Sequence, residues 1–362
     1  MADLKLIVLD SAEDLGIDIN RCLKNIRQTD QDFRVPIKES RFSNGEGKIE
    51  ILETVRDSDV FILGDIGNYD KEYKMHDRIH YMSPDEHFQD MKRVIAATSG
   101  HAQRVNLIMP LLYESRQDKR KGRESLDCAV ALQEVDRLGI KSLITFDAHA
   151  PSIANAVPTL SFENFYPTSR IIESIYENEH EGISDMLVIA PDFGAMDRAR
   201  YYSEMIGCDV GCFYKRRDLS KLVDGKNPIV DHLYLGPDVK DKNILIVDDM
   251  ISSGASVLDV CTMLKERGAK KVFICTTFAL FTEGIKMFEN AYNQGLFDTI
   301  YSTNVSYVPQ SIKDQQWFYS VDCSEMIADI INRLNKGESI EPLHRNKCEV
   351  YKKLRLLKDS KQ

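Results

Sequence analysis

The 362-residue chain contains neither G-x-x-x-x-G-K-[ST] nor G-x-G-x-x-G. Any nucleotide it binds is therefore held by something other than a P-loop or a Rossmann fingerprint. No window comes near the ~20 apolar residues that cross a bilayer, so no membrane role is expected. The start, MADLKLIVLD, runs straight into a strand-like segment and lacks the basic head, apolar middle and cleavage site of a signal peptide. Basic residues are in deficit: Lys plus Arg total 47 against 57 Asp plus Glu, a net charge of −10. That balance argues against a nucleic-acid partner, though it leaves room for a local basic phosphate site. Zinc spacing is also lacking. The cysteines, at positions 22, 128, 208, 212, 261, 275, 323 and 348, are scattered, mostly in apolar runs as free core thiols are. Cys208 and Cys212 lie close, but no second Cys or His pair completes a site. A reducing, cytoplasmic setting fits this usage.

What is present is length enough for two domains with full cores, at an ordinary hydrophobic content of 43%. One stretch organises the rest: Asn243 to Ser256, NILIVDDMISSGAS. Ile244 to Val247 is an unbroken apolar run, the mark of a parallel strand covered on both faces. Asp248 and Asp249 follow at its carboxyl end, where open α/β sheets place their ligands. Then come Ser252, Ser253, Gly254 and Ser256. Successive backbone N–H groups in such a turn form an anion seat, and the next helix points its positive end at it. A carboxylate pair is costly beside so apolar a strand unless its charges are used.

Strands and helices alternate along the whole chain, giving an α/β protein with mostly parallel sheets. Strands are expected at Leu4–Leu9, Val60–Gly64, Val105–Leu112, Ser142–Phe146, Met186–Ala190, Val210–Tyr214, Lys271–Leu280, Phe297–Val305 and Phe318–Asp322. Helices are expected at Asp85–Thr98, Val257–Arg267 and Ser324–Asn335. Arg41 to Val55 contains Ser-Asn-Gly and reads as a hairpin tip. Asp65 to His87 is polar and short of periodicity; it reads as an exposed loop, and the spacing of His76, His80 and His87 fits no standard metal site. Pro151 to Pro167 reads as a connection between domains, and Glu124 to Asp127 as a cap for the helix that follows. The basic tail from Leu343 to Gln362 has Val350, Leu354 and Leu357 at helical spacing, suiting a docked terminal helix.

Asp248-Asp249-Met250-Ile251-Ser252-Ser253-Gly254-Ala255-Ser256 resembles the phosphoribosyl-binding loop shared by type I phosphoribosyltransferases and phosphoribosyl diphosphate (PRPP) synthetases. Further motifs, in the family's order, resemble those of the synthetases, the ribose-phosphate diphosphokinase family. Phe42-Ser43-Asn44-Gly45-Glu46 is similar to the loop that reaches across a dimer to hold adenine, with Phe42 stacking on the base and Asn44 and Glu46 hydrogen-bonding it. Arg116-Gln117-Asp118-Lys119 matches an ATP-contacting signature, Arg116 for phosphate and Gln117 for the nucleoside. Asp147-Ala148-His149-Ala150 resembles Asp-Leu-His-Ala, in which His149 would ligate Mg²⁺ on the ATP phosphates. Pro191-Asp192-Phe193-Gly194 with Arg198 resembles the turn that binds metal and pyrophosphate, through Asp192, Gly194 and Arg198. Lys215 and Arg217 match the Lys-x-Arg that opens a mobile lid, here expected over residues 218–235.

The resemblance implies two phosphoribosyltransferase-like domains, residues 1–160 on the ATP side and 161–322 on the ribose phosphate side, with 323–362 as terminal helix and tail. It implies a diphosphokinase of nucleotide biosynthesis that moves the β,γ-diphosphoryl group of Mg·ATP to the C1 hydroxyl of ribose 5-phosphate, giving PRPP and AMP. Lys215, Arg217 and Mg²⁺ would neutralise phosphoryl charge, Asp248 and Asp249 would hold the ribose hydroxyls, and Ser252 through Ser256 would hold the 5-phosphate. Its partners would be further copies of itself, a homodimer at least and often a hexamer in the family. The chain departs from the family pattern at Ala148, Ala195, Asp197, Ser252 and Ala255, and in a longer 65–87 connection. The departures at Ala195, Asp197, Ser252 and Ala255 keep open the same transfer to a larger acceptor such as ADP-ribose. Also open are a phosphoribosyltransferase that consumes PRPP and a non-catalytic relative that regulates a true synthetase.

Overall fold

A computed structural model describes residues 2–179, 185–217 and 229–344, apart from the side chains of 215–217, 229–232 and 344. The tail beyond 344, with its expected helix, lies outside the described residues, as does the turn at Asp224 to Pro228. Within the described ranges the chain forms two compact units, residues 2–167, 304–308 and 322–344 in the first, 168–303 and 309–321 in the second.

The first unit begins with β1 (Leu4–Val8), α1 (Glu13–Arg27), a hairpin of β2 (Ile37–Arg41) and β3 (Gly47–Ile51), and β4 (Asp59–Leu63). A second hairpin, β5 (Glu72–Met75) and β6 (Arg78–Tyr81), precedes α2 (Pro84–Thr98), β7 (Arg104–Ile108), α3 (Asp127–Arg137), β8 (Ser142–Phe146) and β9 (Ser161–Phe165). Its sheet runs β1-β4-β7-β8-β9, every pairing parallel. Asp-Val-Phe-Ile-Leu of β4 and Ser-Leu-Ile-Thr-Phe of β8 are buried at every residue, as strands covered on both faces must be. In α1, Leu15, Ile19 and Leu23 face inward at helical spacing. Ser83 starts α2 with a reciprocal capping box: its hydroxyl accepts from the Glu86 amide at 3.3 Å, and the Glu86 carboxylate accepts from the Ser83 amide at 2.9 Å.

The second unit opens with α4 (Thr168–Asn178), β10 (Met186–Ala190), α5 (Met196–Ile206), β11 (Val210–Arg217), β12 (Ile229–Leu235) and β13 (Asn243–Ile251). It continues through α6 (Ala255–Glu266), β14 (Lys271–Ala279), α7 (Lys286–Asn293), β15 (Thr299–Thr303), α8 (Gln310–Lys313) and β16 (Phe318–Val321). Its sheet runs β12-β11-β10-β13-β14-β15-β16 and is parallel except for β12, which pairs antiparallel at the edge. The described residues then end in the first unit with α9 (Ser324–Lys336), which packs along α1, and the single turn α10 (Glu341–His344).

Four expectations need correction. The connection from Asp65 to His87 is not an exposed loop. It forms the β5–β6 hairpin, whose two-residue turn puts His76 and Asp77 both at positive φ (49° and 57°), the twist-matched hairpin geometry. Its histidines part company: His76 is exposed at the turn, His80 stacks on Tyr73, and His87 is buried on α2 with its ring nitrogen 2.7 Å from the Asn68 carbonyl. Residues 151–167 hold a 3-10 turn, Pro151–Ala156, and β9, which completes the first sheet. The expected lid overlaps β12, and β11 runs on to Arg217 because β12 supplies it with backbone partners. Glu124 does not cap α3; its carboxylate accepts from the Lys121 amide at 2.7 Å, while Ser125 donates to Asp127.

Candidate active site

The second unit builds its acidic centre on β13. The strand enters with five buried residues, Asn243 to Val247, between β10 and β14. It stays paired with β14 as far as Ile251, so the carboxylates sit on the sheet rather than on a loose loop. Alternation leaves Asp248 partly open and buries Asp249 to 5% exposure. Each carboxylate is fixed by the next amide: Asp249 N–H donates to Asp248 Oδ1 at 2.9 Å, and Met250 N–H to Asp249 Oδ1 at 2.8 Å. Burial, and after it the Asp249 charge, push Asp248 up to about 7; the Arg198 guanidinium and the Asp249 amide oppose this, and Asp192 adds to it. One electrostatic field thus joins Asp192, Arg198, Asp248 and Asp249.

The turn after β13 leads to α6. Gly254 has φ +88°, and a Cβ there would lie 2.2 Å from the Phe288 ring, so glycine alone fits. No side chain caps α6, and Ala255 and Ser256 are exposed at its first turn. The amides of that turn can serve an anion. Ser252 and Ser253 are half-buried beside it.

Asp192 caps the 3-10 turn Phe193–Ala195, Oδ1 accepting from the Gly194 amide at 2.8 Å and the Ala195 amide at 3.3 Å. The Ala195 methyl is buried at 2% exposure, so it is taken up by the interior. Asp197, one of the departures from the family pattern, is a solvent-facing residue of the first turn of α5 and pairs with Arg200 at 3.4 Å. Lys215 and Arg217 lie on β11; their side chains are outside the described residues.

In the first unit, β7 and β8 are paired neighbours, so the segments that leave their carboxyl ends emerge side by side. Arg116 is exposed after β7. Gln117 is half-buried, its side-chain amide donating to the Ser125 carbonyl at 2.9 Å. After β8, Asp147 is buried at φ +43°, its amide held by the Phe165 carbonyl at 2.8 Å, and His149 is exposed. Asn164 anchors the turn by accepting from the Ala148 amide at 3.0 Å. The tip of the β2–β3 hairpin gathers Phe42, Asn44 and Glu46: Phe42 N–H donates to the Glu46 carbonyl at 2.8 Å, and Glu46 N–H to Asn44 Oδ1 at 3.2 Å. The Phe42 ring is 53% exposed, well above what a ring with an internal packing role would keep.

Sequence reading missed Thr282. Its amide donates to the Ser252 carbonyl at 3.0 Å and its hydroxyl lies 3.4 Å from Ser252 Oγ, placing a further hydroxyl at the anion turn. The preceding Phe281, buried at φ +44° in the aromatic cluster around Trp317, fixes that position. No local motif signals it, because the contact depends on β13 and β14 being neighbours.

A carboxylate pair near the carboxyl end of a strand, an uncapped helix start behind an obligatory glycine and two mostly parallel α/β sheets define a protein of the phosphoribosyltransferase type. Residues 4–139 match the family described as the N-terminal domain of ribose phosphate pyrophosphokinase, and residues 165–294 the phosphoribosyl transferase domain. The ribose-phosphate pyrophosphokinase of Vibrio parahaemolyticus is 27% identical over 307 residues, 84% of this chain and 89% of the relative. That of Mycoplasma pneumoniae is 27% identical over 326 residues (88% and 90%), and ribose-phosphate pyrophosphokinase A of Dictyostelium discoideum 26% over 310 (84% and 88%). The crystal structure of phosphoribosylpyrophosphate synthetase from Mycobacterium smegmatis shares the fold with a TM-score of 0.76 at 19% identity, covering 92% of this chain and 99% of that one. The chain belongs to the ribose-phosphate pyrophosphokinase family. Among the described residues no helix is long and apolar enough to cross a membrane.

Proposed function

We propose that this chain transfers the β,γ-diphosphoryl group of ATP to ribose 5-phosphate. The observation that carries the reading is the pairing of Asp248 and Asp249 with the Gly254 turn: hydroxyl acceptors and an anion seat sit within one strand-to-helix junction. A pentose 5-phosphate presents both groups at that scale. The C1 hydroxyl attacks the β-phosphorus, the bond from it to the oxygen shared with the α-phosphorus breaks, and AMP leaves. Catalysis then rests on in-line placement and on neutralising phosphoryl charge. Asp248 and Asp249 hold the ribose hydroxyls. Ser252 to Ser256, joined by Thr282, hold the 5-phosphate. Arg198 and the Gly194 turn face the pyrophosphate, and Lys215 and Arg217 stabilise the transferring group. Phe42, Asn44, Glu46, Arg116 and Gln117 bind ATP, and the exposed Phe42 suits service to a second copy in a homodimer or larger assembly.

Mg²⁺ suits the donor set. Asp192 and the Asp248–Asp249 pair are hard oxygen donors, with Asp248 raised by burial and then by its acidic neighbours, and Mg²⁺ takes one or two protein contacts and completes its shell with phosphate oxygens and water. His149 and Asp192 are the residues assigned to it, and the ion would supply charge neutralisation at the phosphates. Two of the departures that motivate a larger acceptor are quiet here, since the Ala195 methyl is interior and Asp197 faces solvent. Ribose 5-phosphate is therefore favoured. The test is AMP release by the pure protein with Mg²⁺ and ATP against ribose 5-phosphate and ADP-ribose. AMP formed with ribose 5-phosphate supports the reading. Preference for ADP-ribose reassigns the acceptor, and no AMP with either makes the chain a regulatory relative.

A further inference from the structure

The β5–β6 hairpin has no part in the site as described, yet its inner face is turned onto the β2–β3 hairpin. Its strands alternate, with Tyr73 and Met75 inward and Glu72 and Lys74 outward. A Cβ placed on Gly45, inside the Phe42 tip, would lie 2.8 Å from Met75 Sδ and 3.6 Å from the Tyr73 hydroxyl. The tip therefore rests on the second hairpin, and Gly45, at φ +92°, is what lets it come that close.

Tyr73 is the common point of several contacts. The Arg41 guanidinium, at the root of the tip, lies 5.4 Å from the centre of its ring. His80 stacks on the ring at 5.8 Å and 23°. Its hydroxyl donates to Glu86 at 2.6 Å, and Glu86 is the capping-box residue of α2. Arg41 is in turn ion-paired to the buried Asp90 of α2. Tip, second hairpin and helix are thus tied through one ring. An exposed two-stranded hairpin is marginal by itself, and a binding group must be held to a fraction of an ångström to be effective. We infer that the β5–β6 hairpin is the rest that orients the Phe42 tip for the purine ring of the nucleotide, with Tyr73 and Met75 as positioning residues. This rests on the assignment of Phe42 to the adenine of ATP.

The test compares Phe42→Ala, Tyr73→Leu, Met75→Ala and the double variant Phe42→Ala/Tyr73→Leu by steady-state kinetics, with direct ATP binding by calorimetry. Tyr73→Leu and Met75→Ala should each raise KM and Kd for ATP, Tyr73→Leu by about tenfold. Neither should move KM for ribose 5-phosphate, and both should narrow the preference for ATP over GTP. Adding Tyr73→Leu to Phe42→Ala should then cost little more, since there is no ring left to orient. A fall in thermal stability with unchanged KM for ATP would mean a purely structural hairpin and overturn the inference. Should Tyr73→Leu fail to fold, Met75→Ala and Tyr73→Phe carry the same comparison. No response to Phe42→Ala sinks the adenine assignment and this inference with it. A response to Phe42→Ala alone sinks only the inference.

Discussion

Gly254→Ala should damage stability and sugar-phosphate binding together, and its cost can be worked from the structure. The residue sits at φ +88°, where a Cβ costs about 1–2 kcal/mol. The new methyl would meet Phe288 at 2.2 Å. That ring is fully buried, stacked on Trp317 at 6.1 Å and edge-on to Phe281 at 4.9 Å and Phe297 at 6.3 Å, so it has nowhere to go. Overpacking of this kind adds about 1–3 kcal/mol. The sum, roughly 2–5 kcal/mol, corresponds to a fall in Tm of about 5–15 °C for a unit of this size. Trp317 is the sole tryptophan and belongs to the same cluster, so its fluorescence in a urea titration reads the perturbed site directly. KM for ribose 5-phosphate should rise several-fold, with KM for ATP little changed. Phe288→Leu in the same chain should return part of the loss, a coupling of about 1–2 kcal/mol in a double-variant cycle. Additive effects of the two changes, or a Gly254→Ala protein with native Tm and KM, would refute the steric argument.

Asp248→Asn separates stability from function through pH. In the folded protein Asp248 is raised to about 7 by burial and by Asp249, so from about pH 4 to 7 folding takes up a proton and stability falls as pH rises. The Asn variant should therefore have a higher Tm than the parent at pH 8 and an equal one near pH 4, while losing turnover; equal Tm values at pH 8 would contradict a strained carboxylate. Lys215→Ala should lower turnover by about two or more orders of magnitude while Kd for ATP shifts little, because its contact strengthens in the transition state. A loss of ATP affinity with turnover intact would refute that role.

The carboxylates and the anion turn were legible because their chemistry is contiguous. Apolar strand, acid pair, small-residue turn and helix start follow one another in fourteen residues, Asn243 to Ser256, and each link constrains the next. The buried parallel strands were legible for a similar reason, since Ser142–Phe146 and Met186–Ala190 are short apolar runs bounded by polar turns. The β5–β6 hairpin was not. Its turn is His76-Asp77, without the glycine or asparagine that usually marks positive φ, and its exposed strands carry little apolar signal. The edge strand β12 escaped because residues 218–235 read as one lid, and β9 because Pro151 and Pro158 nearby read as a linker.

By itself the sequence determined the α/β class and the order of the motifs, and it named the candidate groups that the proposed function assigns to a sugar phosphate and a nucleotide, because local pattern and side-chain chemistry are carried residue by residue. Only the tertiary structure decided that Gly254 is obligatory against Phe288, that Thr282 stands beside Ser252, that burial and the Asp249 charge raise Asp248, and that Tyr73 underlies the Phe42 tip. Each of these depends on which strands are adjacent and how closely two distant segments approach. Close packing sets those distances, and no window of sequence contains them.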